Sequence, residues 1–164
     1  MDVLPDVLIA QLAVVFCGTA AGAASARRGT YYAGPGNAFW PTLHLTGLTP
    51  RLMQAEEFRS ITQFGLGLTD LAKSASGADH TLQQSHFDRS ALRRKISRYQ
   101  PRLLAFTSKR AASEFLNRPV GYGLQADTIN STALFVLPSP SGAARRYWDP
   151  QPWQELATLS RLQF

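Results

Sequence analysis

The sequence lacks the residues from which disulfides and most metal centres are built. It contains a single cysteine, Cys17, so no disulfide can form within the chain and no metal site can be made from several cysteine thiolates. The three histidines, His44, His80 and His86, are scattered, and no cluster of carboxylates accompanies them, which argues against a zinc site. We therefore expect neither a metal nor a cofactor, and a reducing compartment suits the lone thiol.

A long hydrophobic run is also missing. Residues 8–26 begin apolar and end in small residues, as a secretory leader does, but Asp2 and Asp6 precede them and no Lys or Arg does, whereas a leader begins with positive charge. Gln11 interrupts the apolar part, which is too short for a membrane span of about 20 residues. We expect a buried strand here instead, and a cytoplasmic protein with no membrane partner.

Acidic side chains are the third scarcity. The 11 Asp and Glu are outnumbered by 17 Lys and Arg, for a net charge of +6. A basic surface favours a polyanion such as nucleic acid, although net charge can also serve solubility alone. The 164 residues are about the length of one domain, so we expect one unit spanning residues 1–164 that acts as a monomer.

Three short apolar runs rich in β-forming residues predict strands, at residues 12–17 (LAVVFC), 102–107 (RLLAFT) and 133–137 (ALFVL). Continuous apolar character is typical of strands covered on both faces of a parallel sheet. Helical spacing and flanking prolines predict helices at residues 87–99, 109–116 and 152–162. The alternation predicts an α/β fold: a three-layer αβα domain whose mainly parallel, doubly wound sheet has roughly four to five strands.

Two loops predict where a ligand would bind. Ligands of doubly wound sheets lie beyond the carboxyl ends of the strands, and residues 18–40 and 138–147 each leave a predicted strand at that point. Both are rich in Gly, Pro, Ser and Ala, which let a ligand approach the backbone closely, although ordinary strand-to-helix turns have a similar composition. Residues 74–80 (SASGADH) predict a separate, mobile loop.

The same loops carry a family resemblance. Residues 16–40 (FCGTAAGAASARRGTYYAGPGNAFW) and 131–146 (STALFVLPSPSGAARR) resemble the first and second active-site motifs of the mismatch-specific uracil/thymine DNA glycosylases. Residues 65–71 (GLGLTDL) are similar to that family's Gly-hydrophobic-Thr segment. Tyr-Tyr-Ala and Asn-Ala-Phe-Trp in the first stretch resemble the hypoxanthine-type branch of the same uracil-DNA glycosylase superfamily. Order and spacing agree over nearly the whole chain.

The resemblance implies an enzyme of DNA base excision repair. Such an enzyme flips a base out of DNA and hydrolyses its N-glycosidic bond, which leaves an abasic site. Neither motif contains a lysine that could form a Schiff base, so we expect a monofunctional uracil-DNA glycosylase that acts by water attack. Its partner would be uracil-containing DNA, single- or double-stranded, and free uracil would be a product.

The first motif departs from the mismatch-specific pattern at its main catalytic position. The asparagine thought to position the attacking water is replaced by Ala20, which cannot orient water. Asn37 is the first choice for the catalytic group, because the hypoxanthine-type branch has an asparagine there and an amide both donates and accepts hydrogen bonds. Asn37 could instead cap a helix beginning at Ala38. Asp70 is the alternative catalytic group, as general base or as stabiliser of the sugar cation, unless it caps the next turn.

The resemblance assigns the other site residues as follows. Ser139 stands where related enzymes carry the Asn or His that interacts with the leaving base, and Tyr32 would stack on the extruded base unless it is a core tyrosine. The backbone of Gly18, Thr19 and Ala20 would line the pocket. Expected DNA contacts are Lys73, Ser74, Ser141, Gly142, Arg145 and Arg146. One of the two arginines would fill the gap left by the base, because Ala143 and Ala144 are too small.

Two other functions stay open. The loss of the first-motif asparagine could leave a catalytically silent DNA-binding module of the same fold, which would bind DNA without turnover. A small-molecule-binding α/β protein is the third possibility. The glycosylase hypothesis requires that Tyr32, Asn37, Asp70 and Ser139, which are distant in the sequence, line one pocket at the rim of the sheet.

Overall fold

The chain folds around one five-stranded sheet. The structure is a computed structural model that describes residues 2–78 and 81–162, so the predictions for His80 and for the end of the loop at 74–80 lie outside the described residues. The strands are β1 (Val14–Gly18), β2 (Leu66–Asp70), β3 (Leu103–Phe106), β4 (Gly123–Ile129) and β5 (Thr132–Val136), in the spatial order β2-β1-β3-β5-β4. All neighbours are parallel except β4, which pairs antiparallel with β5 at one edge. The predicted doubly wound α/β fold is confirmed.

Helices cover both faces of the sheet. They are α1 (Ala23–Arg28), α2 (Phe39–Leu45), α3 (Arg89–Tyr99), α4 (Lys109–Leu116) and α5 (Gln151–Ser160), with 3-10 segments at Ala55–Phe64, Gln84–His86 and Gly142–Tyr147. The helix predicted at 87–99 begins at Arg89 because the Asp88 side chain caps it by accepting from the Ala91 N–H. None of the helices in residues 2–78 and 81–162 combines the length and apolar character needed to cross a membrane.

The alternation of side chains along β1 divides the core in two. Val14 and Phe16 point into one cluster, where Phe16 contacts Phe39 of α2 and Trp153 of α5. Val15 and Cys17 point into the other, under α3 and α4. Because both faces of β1 are buried, its sequence is apolar throughout, as the strand prediction assumed.

Strand β4 was not predicted, for a physical reason. Its sequence, GLQADTI, is mostly polar, and five of its seven residues are not buried, since an edge strand has one face and one side open to solvent. The pairing with β5 also shifts register between Leu124 and Thr128. Strand β2 entered the sequence analysis only as a motif, because Gly67, Thr69 and Asp70 interrupt its apolar character.

The parallel register brings four strand ends to one rim. Gly18 at the end of β1 lies opposite Asp70 at the end of β2, and Phe106 at the end of β3 lies opposite Val136 at the end of β5. The residues that follow these strands therefore meet above the centre of the sheet, which is where doubly wound folds bind ligands.

Candidate active site

The strand ends surround a cavity of about 680 Å³, within the size range of small-molecule sites. The predicted site residues along its wall are Gly18, Thr19, Ala20, Tyr32, Asn37, Asp70, Ser139, Ser141 and Gly142. The four side chains that the glycosylase hypothesis requires in one pocket, those of Tyr32, Asn37, Asp70 and Ser139, are thus brought together. In the described part of the chain, no three His, Cys, Asp or Glu side chains are grouped as a metal ion would require.

Asp70 presents a buried carboxylate to this cavity. The residue is 6% exposed, and burial raises its pKa to about 7, a rise that Lys73 opposes and Asp6 reinforces. A β-carbon placed on Gly18 would lie 2.8 Å from Asp70 Oδ1, so the carboxylate sits directly against the end of β1. A carboxyl group with this pKa can accept or donate a proton near neutral pH.

Tyr32 lies between the core and the cavity. Its ring stacks on Phe39 at a centroid distance of 3.9 Å and an angle of 15°, and its hydroxyl shares a hydrogen bond of 2.9 Å with Thr107 Oγ1. Phe39 covers one face of the ring, so an incoming base would have to stack on the other. The backbone of Tyr32 has φ of 52°, an uncommon conformation for a residue with a side chain.

Thr107 is a site residue that the sequence analysis missed. It follows β3, is buried, and lines the cavity. Its Oγ1 and the Tyr32 hydroxyl would each lie 3.4 Å from a β-carbon on Gly18, beside Asp70 Oδ1, so three side-chain oxygens converge over this glycine. The signal that could have revealed Thr107 is its place as the first polar residue after a buried strand at the same rim.

Asn37 lines the cavity and also binds the backbone at the start of α2, although the N-cap of that helix is Ala38 and not Asn37. Its Oδ1 accepts a hydrogen bond from the Phe39 N–H at 3.0 Å, at the start of α2, which begins at Phe39 and not at Ala38. Because that oxygen is held by the backbone, the amide NH₂ is the part of Asn37 best placed to bind a ligand. Asn37 is therefore oriented as a hydrogen-bond donor.

In the second motif, two serine side chains each accept a hydrogen bond from the backbone N–H two residues further on. Ser139 Oγ accepts from the Ser141 N–H, and Ser141 Oγ accepts from the Ala143 N–H, both at 3.2 Å. A hydroxyl that accepts from the backbone still has a proton to donate, and Ser139 lines the cavity. The Ala38 N–H donates to the Pro140 carbonyl at 2.8 Å, which fastens the second motif loop to the first.

The six predicted DNA contacts occupy different environments. Ser141 and Gly142 line the cavity, and Ser74, Arg145 and Arg146 are exposed. The Lys73 ammonium is instead committed inside the protein: its side chain is 11% exposed, and Nζ lies 3.0 Å from Asp6 Oδ1 and 3.1 Å from the Tyr31 hydroxyl. A phosphate contact would have to break this pair, so the structure does not favour that role for Lys73.

Comparison with known proteins agrees with this architecture. A family model described as the uracil DNA glycosylase superfamily matches residues 5–163. The fold is similar to the solution NMR structure of a uracil DNA glycosylase candidate from Methanosarcina acetivorans, with a TM-score of 0.68 and 24% identity over 96% of this chain and 94% of that one. At this identity the structural likeness concerns the fold alone.

Proposed function

Because the chain belongs to the uracil DNA glycosylase superfamily, we propose that it is a monofunctional uracil-DNA glycosylase of base excision repair. Membership supports a DNA glycosylase in general, and the choice of uracil and of water as nucleophile is ours. One observation carries the proposal: Tyr32, Asn37, Asp70 and Ser139 line a single cavity at the carboxyl rim of the sheet.

The chemistry makes two demands that these side chains can meet. Breaking the bond between uracil N1 and the sugar C1′ leaves the electron pair on the base and builds positive charge on the sugar. The Asn37 amide and the Ser139 hydroxyl can donate hydrogen bonds to a uracil oxygen that gains negative charge. The face of the Tyr32 ring opposite Phe39 can hold the extruded base by stacking.

Asp70 supplies a negative charge opposite to the positive charge that develops on the sugar. In its ionised form it can stabilise the sugar cation and accept a proton from the attacking water while the water oxygen bonds to C1′. The proton that the departing base finally needs at N1 can come from solvent. Since Ala20 has no polar side chain, Asp70 and Asn37 take over the role of the asparagine that is missing from the first motif.

The deciding experiment is a strand-cleavage assay on DNA with one uracil, in single- and double-stranded form. We expect abasic product from the wild-type protein, and slower excision by Asn37→Ala and Asp70→Ala with the circular dichroism spectrum unchanged. If neither substrate gives abasic product, the enzyme proposal is wrong. Full activity in both variants would show that the catalytic group lies elsewhere.

A catalytically silent DNA-binding module is the second candidate, and Ala20 is the observation that favours it. Such a module would keep the cavity and the basic surface but would not cut the glycosidic bond. It predicts DNA binding that weakens steeply with salt and no abasic product at any enzyme concentration.

A further inference from the structure

Tyr147 is a large aromatic residue that the proposed chemistry does not use. It is 67% exposed and ends the 3-10 segment Gly142–Tyr147, whose residues Gly142, Ala143 and Ala144 line the cavity. In a 3-10 helix, side chains three positions apart eclipse one another. Tyr147 therefore projects from the same face as Ala144, about 6 Å further along the segment, beside the cavity mouth.

The aromatic residue that follows Tyr147 does not share its exposure. The next residue, Trp148, turns inward, with its ring centroid 5.8 Å from that of buried Trp153. Trp148 therefore packs against the core while Tyr147 projects into solvent. An exposed aromatic ring beside a cavity is a surface that another flat group can cover.

Positive charge accompanies the ring. The guanidinium carbon of Arg146 lies 5.5 Å from the Tyr147 ring centroid, in the range of a cation–π contact. Arg145 is close to the first motif loop, since a β-carbon on Gly36 would lie 2.6 Å from its Nη2. Aromatic rings next to cationic side chains are how proteins hold single-stranded nucleic acid without reading its sequence.

We propose that Tyr147 stacks on an unpaired DNA base beside the nucleotide held in the cavity, with Arg146 next to the adjoining phosphate. This rests on the proposed function for the identity of the nucleotide in the cavity. Of the two arginines expected to fill the space beside the extruded base, it leaves Arg145 for that role, because Arg146 is held over Tyr147. Since the stacked neighbours in a duplex cover both faces of each base, single-stranded DNA is the substrate form that this arrangement favours.

The test measures binding without requiring catalysis. Fluorescence anisotropy at one fixed salt concentration would compare two probes of equal length, an oligothymidylate without uracil and the same sugar–phosphate chain without bases. Tyr147→Ala should bind the oligothymidylate about tenfold or more weakly than wild type, as the loss of one base–aromatic stack predicts. It should bind the abasic chain as wild type does, and Tyr147→Phe should keep wild-type affinity for both.

Tyr99→Ala is the matched control. Tyr99 also follows an arginine whose guanidinium lies over its ring, with Arg98 Cζ 5.2 Å from the centroid. Tyr99 lies at the opposite end of the sheet, where its backbone carbonyl accepts a hydrogen bond from the N–H of Gln11, shortly before β1 begins. This variant should bind both probes as wild type does.

Two results would overturn the inference. One is wild-type affinity of Tyr147→Ala for the oligothymidylate, and the other is an equal loss on the abasic chain, which would indicate a backbone contact or altered folding. Absence of uracil excision would refute the proposed function but would leave this binding comparison intact, so the two failures are distinguishable.

Discussion

The carboxylate of Asp70 lies directly against the backbone of Gly18. The two residues face each other across the β1–β2 ladder, and a β-carbon on Gly18 would lie only 2.8 Å from Asp70 Oδ1. Real β-carbons are almost never found that close to another heavy atom, so glycine at this position leaves the space that the carboxylate uses. The Tyr32 and Thr107 oxygens border the same space at 3.4 Å.

Gly18→Ala should therefore damage the site more than the fold. The added methyl group would displace the Asp70 carboxylate and shrink the floor of the cavity, and we expect kcat/KM for uracil excision to fall by about tenfold or more, as small misplacements of reacting groups do. The backbone of β1 is ordinary extended chain that alanine accepts. Gly121→Ala is the control, because a β-carbon there meets no atom within 4 Å. Equal activity of both variants would show that the position of Asp70 is not important.

The pH dependence of excision should report Asp70. Because burial raises the pKa of this carboxyl group to about 7 and the proposed mechanism needs its ionised form, kcat/KM should rise with pH up to about 7 and level off above it. Asp70→Asn should lose this limb and about a hundredfold or more in rate. The ionisation of Asp70 falls between about pH 5 and 8. If kcat/KM of the wild-type protein does not change over this interval, the role assigned to Asp70 is wrong.

The same carboxylate should destabilise the protein at high pH. The ordinary pKa of an aspartate is 3.8, and the pKa of Asp70 in the folded protein is about 7. Between these two pH values the folded state binds a proton that the unfolded state has released. The free energy of unfolding therefore falls as the pH rises through this window. Asp70→Asn removes the ionisation. The variant should match wild type in urea unfolding below pH 4 and be more stable at pH 8.

An exposed carboxylate provides the comparison for that experiment. Asp2→Asn removes the same functional group from the surface, where solvent screens its charge, and should change the urea midpoint little. If Asp70→Asn were the less stable protein at pH 8, the carboxylate would be making favourable contacts that outweigh its burial, and the explanation for the raised pKa would fail.

The parts of the fold that the sequence predicts are those whose burial is uniform. The cores of β1, β3 and β5 lie inside the three predicted apolar runs, with shifts of one or two residues at the ends, because both faces of these strands are covered. The exposed edge strand β4 has a polar sequence, and nothing in its pattern distinguishes it from a loop. Register, which places Gly18 opposite Asp70, depends on pairing between distant segments and is invisible in either segment alone.

The site divides in the same way. Asn37 and Asp70 could be selected because both are polar residues of segments that resemble the motifs of the glycosylase family. The ion pair between Lys73 and Asp6 could not be predicted from the sequence. It depends on the N-terminal segment crossing beside β2, where Val7 pairs with Leu68. A lysine in a loop resembles a phosphate contact until the carboxylate beside it is located.

The two roles of Asn37 can be separated by substitution. Its Oδ1 accepts from the Phe39 N–H, and the proposed chemistry uses its NH₂ group. Asn37→Asp keeps the acceptor and loses the donor, so we expect the urea midpoint to stay at the wild-type value or rise, since a negative charge at a helix N-terminus is favourable. Excision should fall by about tenfold or more, because the carboxylate cannot donate a hydrogen bond to the departing base.

Asn37→Ala loses both groups. It should therefore be as inactive as Asn37→Asp and also less stable by about 1 kcal/mol, because the Phe39 N–H loses its side-chain acceptor. Excision by the two variants on single-stranded uracil DNA and their urea unfolding curves together check the assignment. Wild-type activity in Asn37→Asp would mean that this residue serves only to hold the Phe39 N–H at the start of α2. The donor to the leaving base would then have to be Ser139 or a backbone N–H of the first motif.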